Sequence, residues 1–428
     1  MSPVTPTFSS LLKSQKDDFI ADNGKGWSIV MGNEAGDLDS IASALVYAWL
    51  CSRTAGGKAI AYITTPRQHF YLREENLHAL HLAGIKEPFE ELYCSGDPIP
   101  SQASQFALVD HNVLDTRYAS PAATVVAIID HHTDENKHKT ADPRIIEPVG
   151  SCASLVTRLF SSSHVGMPPE LATLLLSAIL IDTKGLKPGG KACPADMDAA
   201  AFLLPLSPLT GCDAFIEPSD IPHLPSVQFL SAILDEKKSN VSHLSTVELL
   251  RRDYKEYTFN VPSSDFATQS FQMITVGLAT VPLRLSDFFA SSEFSARETE
   301  TEVFAGRNLN ILGVLTTYRN KNDKGRREQL WIVRAADEGI AKKLWPGLES
   351  NDVLQLERVD LTELISADNA EAVDEFKDKD AKPVSAVTDE QVFGDPESFI
   401  VRAYKQGNAK ATRKQTAPIL RAILEGTL

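Results

Sequence analysis

Several apolar runs in this chain end in acids and imidazoles. Val125-Val126-Ala127-Ile128-Ile129 leads directly into Asp130-His131-His132. Phe106-Ala107-Leu108-Val109 leads into Asp110-His111-Asn112. Trp27-Ser28-Ile29-Val30-Met31 leads into a glycine-containing loop that carries Asn33, Asp37 and Asp39. The run Leu174 to Ile181 ends in Asp182-Thr183. Uncompensated charge at the ends of buried elements is costly, so a cluster of this kind calls for cations. Carboxylate, imidazole and amide oxygen suit hard to intermediate divalent ions such as Mg²⁺, Mn²⁺ and Co²⁺. Two such ions about 3.5–4 Å apart, sharing one carboxylate, form the usual arrangement for phosphoryl hydrolysis.

The elements that position these residues follow from the same runs. β-favouring apolar residues ending in ligands read as buried strands with their side chains delivered at the C-terminal end, where open α/β sheets build their sites. Gly32 and Gly36 permit a tight loop, and Ser40 opens an Ala-rich helix over residues 41–50. Taken singly, Asp37 or Asp39 reads as a helix cap before Ile41; the four-fold recurrence favours ligation. Asp182 as a plain residue of a helix C-terminal turn would oppose the helix dipole unless a cation lay near. Gly150-Ser151-Cys152 starts a helix-like stretch whose amides are either a phosphate cradle or a tight turn.

With strand-like runs at Ala59–Ile63 and Leu92–Cys94, residues 1–205 alternate strand and helix patterns, as a parallel sheet with crossover helices does. Residues 206–225 are expected to be a linker, with Pro208, Pro218, Pro222 and Pro225 inside it and Pro205 just before it. Residues 226–428 read as a second, α+β domain. Helices are expected near 227–253, a strand at 271–276, and a hairpin of 310–318 with 328–334 around a turn at 322–325. A charged exposed loop is expected at 371–380 and a last helix at 415–424.

The 428 residues allow two separate cores. The net charge of −15 disfavours nonspecific binding to nucleic acid or membranes, so no such partner is expected. An anionic substrate then requires a local basic patch. No apolar run approaches the ~20 residues of a membrane helix. Residues 1–23 lack the apolar core of a secretion signal. The five cysteines are scattered without a Cys-x-x-Cys. A reduced, cytoplasmic setting and a monomer are expected.

The ordered set Asn33-x-x-x-Asp37-x-Asp39, Asp110-His111-Asn112, Asp130-His131-His132 and Asp182 resembles the DHH phosphoesterase superfamily. Ala411-Thr412-Arg413-Lys414-Gln415 with Pro418 looks like the Ser-Arg-Lys-type motif of the DHHA2 domain. Leu249 to Lys255 looks like the start of that domain in eukaryotic members. The resemblance covers almost the whole chain. It points to fungal exopolyphosphatases and their prune-like relatives, with family II inorganic pyrophosphatases next. The fold class it implies is α/β: an N-terminal DHH domain with a parallel sheet, and a C-terminal α+β DHHA2 domain across a cleft.

Residue by residue, the resemblance implies that Asn33, Asp37 and Asp110 hold one divalent ion. Asp39, Asp110, His131 and Asp182 would hold a second, with Asp110 bridging. Asp130 would orient its neighbours from behind, and His111 would be close to the site without ligating. His132 would meet substrate phosphate or the leaving oxygen. Lys187 stands at the spacing of the family's Asp-Thr-x-x-x-Lys. Arg413 and Lys414 would grip phosphates from the far domain, Arg through paired hydrogen bonds and Lys as a compact charge. Lys405 and Lys410 read first as surface residues.

Family II pyrophosphatases have His where this chain has Asn33. An amide oxygen is the harder ligand and suits Mg²⁺, which leans toward the exopolyphosphatase side. The implied ions are Mg²⁺ or Mn²⁺, with Co²⁺ also compatible. The implied activity is hydrolysis of the terminal phosphoanhydride bond of inorganic polyphosphate, releasing orthophosphate by way of a hydroxide activated by two ions. The alternatives are a pyrophosphatase, a short-chain polyphosphatase and a prune-like regulatory binding protein. A RecJ-like nuclease is disfavoured, because no Gly-Gly-Gly-His motif is present.

Overall fold

The computed structural model describes residues 8–54, 57–209, 216–262, 271–290, 303–322, 324–360 and 399–426. The chain divides into two units, residues 1–240 and 241–428. The first contains α1 (Phe8–Ala21), β1 (Ser28–Met31), α2 (Leu38–Arg53), β2 (Ala59–Pro66), α3 (Glu74–Leu82), α4 (Pro88–Glu91), β3 (Tyr93–Ser95) and β4 (Gln105–Val109). It continues with β5 (Thr124–Asp130), β6 (Arg144–Ile146), α5 (Cys152–Ser161), α6 (Pro169–Thr183), α7 (Pro194–Leu203) and α8 (Pro225–Ser239).

The six strands pair in parallel in the order β3-β2-β1-β4-β5-β6. Their apolar runs are buried on both faces. Val30, Ala107 and Ile129 face one layer that includes α2, α5 and α6, while Ile29, Met31, Phe106, Leu108 and Ile128 face the other. Such two-sided burial explains the continuous rather than alternating hydrophobicity of β1, β4 and β5. From β1 the chain winds outward to β2 and β3 on one side and to β4, β5 and β6 on the other. The topological switch point therefore lies between β1 and β4, where open α/β sheets place their ligand crevice. Met31 is level with Leu108, and Val109 with Ile129, so the strand ends that lead into Asn33, Asp110 and Asp130-His131-His132 come together.

The fourth apolar run departs from the strand reading. Leu174–Ile181 is the second half of α6, a helix buried on almost every side. Leu and Ala favour a helix, and a helix buried all round shows no polar stripe to distinguish it from a buried strand.

The expected linker also differs. Its described parts, 206–209 and 216–225, belong to the first unit. So does α8, which packs on α3 and α6 and puts Val227, Leu230 and Leu234 into that unit's core.

The second unit contains α9 (Thr246–Arg252), β7 (Tyr254–Pro262), β8 (Phe271–Val281), α10 (Leu285–Ala290), β9 (Ile311–Thr316) and β10 (Tyr318–Arg319). It ends with β11 (Gly325–Arg334), α11 (Glu338–Glu349), β12 (Leu356–Val359), β13 (Phe399–Gln406) and α12 (Arg413–Glu425). The mixed sheet runs β12-β13-β11-β9-β8-β7, with β8 and β9 parallel and the other pairs antiparallel. The expected hairpin is present, with Leu315 opposite Gln329. In its turn Asn320 Oδ1 accepts from the amides of Asn322 and Lys324. Leu344 of α11 and Leu420 of α12 pack with Trp331 and Tyr404 into this unit's core. Residues 371–380 lie outside the described residues.

Candidate metal centre

Asp110 follows β4 with φ +60°, a left-handed conformation that Asp tolerates better than most residues. Its amide remains in the sheet, donating to the Ile129 carbonyl at 2.9 Å. The carboxylate is buried, and Oδ2 accepts from Asn33 Nδ2 and from Ser40 Oγ, each at 2.6 Å. Asn33 Nδ2 also reaches the Asp110 carbonyl at 3.0 Å, and Asn33 Oδ1 accepts from the Ala35 amide at 2.9 Å. The loop after β1 and the end of β4 are thus tied together through side chains.

Asp37 is the N-cap of α2, accepting from the Ser40 amide at 3.1 Å. Burial pushes its carboxyl up, and the charges of Asp110 and Asp182 push it further, against Arg73. Asp39, in the first turn of α2, does not cap its own helix. Its carboxylate accepts from Ser151 Oγ at 2.7 Å, Cys152 N at 2.7 Å and Ala153 N at 2.8 Å, which neutralises the start of α5. Burial, with Asp110 and Asp182 next in size, raises this carboxyl to about 8. The Gly150 and Ser151 amides are occupied by Asp196, at 2.9 and 3.2 Å. The amides of this segment are therefore satisfied by carboxylates and form no open phosphate cradle.

At the end of β5, Asp130 Oδ1 accepts from the amides of His131 (2.7 Å) and His132 (3.1 Å) and from His132 Nδ1 at 2.8 Å. Its Oδ2 accepts from Asn112 Nδ2 at 2.6 Å. Burial opposes ionisation of Asp130, but the His132 and Asn112 hydrogen bonds hold its carboxyl below the usual range. His131 Nδ1 meets the Val149 carbonyl at 3.0 Å. A carbonyl can only accept, so Nδ1 carries a hydrogen, and a neutral ring would present its lone pair at Nε2. That nitrogen lies 3.2 Å from Asp110 Oδ1 and 3.9 Å from Asp39 Oδ2. His111 bonds its own strand, Nδ1 to the Val109 carbonyl at 2.9 Å.

Asp182 is in the last turn of α6, and its charge is felt by Asp37 and Asp39. Burial opposes its ionisation, while Lys191, Lys238 and His131, in that order, hold its carboxyl low. Lys191 Nζ stands 3.1 Å from Asp182 Oδ2. Burial works against the lysine's charge, yet Asp182 and Asp39 keep its pKa above the ordinary value. Lys187 is exposed on the loop after α6. Sequence reasoning missed Lys191 and Lys238. Lys191 is nine residues past Asp182 beyond an irregular loop, and Lys238 stands on α8, which the sequence assigned to the other domain.

In the second unit, Arg413 and Lys414 open α12 behind the Thr412 cap. Arg413 donates to the Asp253 carbonyl at 2.7 Å and to Asp253 Oδ1 at 2.8 Å. Lys405, Lys410 and Lys414 are exposed. Arg327, not singled out from the sequence, donates through Nε to the Ala409 carbonyl at 3.0 Å.

The donor chemistry fits divalent cations. Asp110, His131 and His132 offer ligand atoms that all lie within 4.8 Å of one another. Asp37 and Asp39 beside it are pushed toward protonation first by burial and then by the charges of Asp110 and Asp182. Hard cations relieve that repulsion. Among the described residues no helix is long and apolar enough to cross a membrane.

Comparison with known proteins agrees with this geometry. The DHH family N-terminal domain matches residues 27–179, and the DHHA2 domain matches residues 232–423. The chain is 34% identical over 250 residues to a Schizosaccharomyces pombe protein named "Putative exopolyphosphatase", covering 54% of this chain and 60% of that protein. It is 28% identical over 240 residues to a Deinococcus radiodurans protein named "Probable manganese-dependent inorganic pyrophosphatase", covering 54% of this chain and 66% of that one. Each match thus spans less than two thirds of the relative's length. The fold is shared with the crystal structure of a Methanococcus jannaschii protein described as a "putative family II inorganic pyrophosphatase". That match has a TM-score of 0.54 at 18% identity and covers 93% of this chain and 99% of that one. With its parallel sheet, its Asp110/His131/His132 group and both domain matches, the chain carries a DHH family N-terminal domain and, in its C-terminal half, a DHHA2 domain.

Proposed function

We propose that this protein is an exopolyphosphatase, a metal-dependent hydrolase that removes orthophosphate from the end of inorganic polyphosphate. The observation that carries the reading is the Asp110–His131 pair at the switch point of the sheet, with His131 Nε2 3.2 Å from Asp110 Oδ1 and further carboxylates around it. The similarity to the Schizosaccharomyces pombe protein supports the choice of substrate.

Asn33, Asp37 and Asp110 would hold one divalent ion, and Asp39, Asp110, His131 and Asp182 a second, Asp110 being shared. Mg²⁺ and Mn²⁺ suit the donor set, and Co²⁺ is compatible with it. Bound there, the ions would supply Lewis acidity and a water acidified toward neutral pH. The rest falls to the chain's own groups. His132 donates through Nδ1 to Asp130, which fixes its tautomer and leaves Nε2 for a substrate phosphate or a leaving oxygen. Lys191 and Lys238 set positive charge beside Asp182. Arg413 and Lys414 provide phosphate-binding charge in the C-terminal domain.

A second reading, inorganic pyrophosphatase, is favoured by the similarity to the Deinococcus radiodurans protein. The amide ligand at Asn33 weighs against it. Phosphate release from pyrophosphate, tripolyphosphate and long-chain polyphosphate, measured side by side with Mg²⁺ and with Mn²⁺, separates the two. Rapid release from long chains with little from pyrophosphate supports the exopolyphosphatase. Activity confined to pyrophosphate overturns it.

A further inference from the structure

Asp196 belongs to neither proposed ligand set, yet it is fully buried in the first turn of α7. Oδ1 accepts from Ser151 N at 3.2 Å and Ser154 Oγ at 2.7 Å. Oδ2 accepts from Gly150 N at 2.9 Å and Cys193 N at 2.8 Å. Among the described residues no Lys, Arg or His makes an ion pair with it. A buried carboxylate supported by donors alone is costly, and here four donors share the charge.

The segments it holds account for that cost. Gly150, Ser151 and Ser154 form the start of α5, and this start is what orients Asp39 through Ser151 Oγ, Cys152 N and Ala153 N. Cys193 is two residues beyond Lys191, whose ammonium pairs with Asp182. The junction is tightly packed. A Cβ on Gly150 would fall 2.4 Å from Asp196 Oδ2 and 2.7 Å from Cγ2 of Thr183, the neighbour of Asp182. One carboxylate therefore fastens two segments, each of which aligns a different ligand candidate.

We propose that Asp196 is a positioning residue of the metal centre, fixing Asp39 through the start of α5 and Asp182 through the Lys191 segment. The proposal rests on the reading of Asp39 and Asp182 as metal ligands. Asp196 itself touches neither metal nor substrate.

Asp196→Asn is the direct test because it preserves size. In either orientation its amide nitrogen meets at least one backbone N–H, so hydrogen bonding is lost without a cavity. Manganese affinity of the folded full chain, read by paramagnetic resonance of free and bound Mn²⁺, should fall about 10–100-fold, the usual cost of disturbing groups behind a ligand. Ser154→Ala removes a single donor and should give a smaller loss in the same direction, which keeps the test open if Asp196→Asn folds poorly. Leu203→Ala, a core truncation in α7, should lower Tm and leave Mn²⁺ affinity unchanged. Asp39→Asn should weaken Mn²⁺ binding directly. Wild-type Mn²⁺ affinity in Asp196→Asn and Ser154→Ala, with Asp39→Asn impaired, would overturn the positioning role alone. Equal losses in Leu203→Ala and Asp196→Asn would reduce Asp196 to a stability residue. Wild-type affinity in Asp39→Asn would overturn the ligand reading, and the positioning role with it.

Discussion

His131 Nε2 faces Asp110 Oδ1 across 3.2 Å, while its Nδ1 is 3.0 Å from the Val149 carbonyl. The backbone carbonyl takes the Nδ1 hydrogen, so in the neutral imidazole the nitrogen turned toward the acid is the one that can ligate. At that separation a proton or a metal ion between or beside them reconciles the imidazole with the carboxylate. Replacing His131 with Ala should therefore lower Mn²⁺ affinity at least about 100-fold, more than the loss of a group behind a ligand. Titration calorimetry checks it, and unchanged affinity would remove His131 from the ligand set.

The raised carboxyl of Asp39 gives a pH dependence with a definite sign. An unfolded aspartate ionises near 3.8, and folded Asp39 near 8. Between these values the folded chain holds the extra proton, so the Asp39 contribution to stability falls as pH rises through that window. Asp130 and Asp182 are held low, and their windows lie below 3.8. Chelator-treated protein should thus melt at a lower temperature at pH 8 than at pH 5.5. Asp39→Asn should flatten that difference, and Mn²⁺ should raise Tm more at pH 8. A chelated protein equally stable at both pH values would contradict this.

Lys191 and Lys187 make a paired test. Lys191 Nζ is 3.1 Å from Asp182 Oδ2 with its side chain 46% exposed, so as an ion pair it contributes no more than about 1 kcal/mol to folding. As a charge beside the substrate it is worth about 1.5–3 kcal/mol, or roughly 10–100-fold in kcat/KM. Lys191→Met should show that loss with little change in Tm, whereas exposed Lys187→Met should change kcat/KM less than about three-fold. Equal effects would return the role to the sequence-expected Lys187.

Gly150→Ala should destabilise the first unit by about 1–3 kcal/mol, because its Cβ would overlap Asp196 and Thr183. Urea unfolding measures this. A neutral effect would show that the junction of α5, α6 and α7 yields more readily than its packing indicates.

Much of the site could be read in sequence because β1, β4 and β5 are adjacent and parallel. Each strand's apolar run ends where its polar candidate begins, so Asn33, Asp110 and His131 converge without information about loops. The partnership of Asp39 with the start of α5 was not legible, since 112 residues separate Asp39 from Ser151. Local rules instead offered Asp39 a capping role in its own helix. The α6 run was ambiguous because burial on almost every side removes the polar stripe by which a helix is recognised. The packing of α8 was not legible either: the proline-rich stretch ends before that helix, and Val227, Leu230 and Leu234 set it into the first core. Asp196 gave no signal at all: it is one of two acids in an alanine-rich helix, and its four donors come from two separate segments.

The most direct test of the account is phosphate release from long-chain polyphosphate by the full chain, before chelation, after it, and after Mn²⁺ or Mg²⁺ is restored, in wild type and in Asp110→Ala. Wild type should lose turnover on chelation and regain it with the ion. Asp110→Ala should stay at least about 10³-fold slower in all conditions, as expected for a ligand shared by both ions. Turnover that survives chelation, or near-normal turnover in Asp110→Ala, would contradict a metal-dependent hydrolase centred on Asp110.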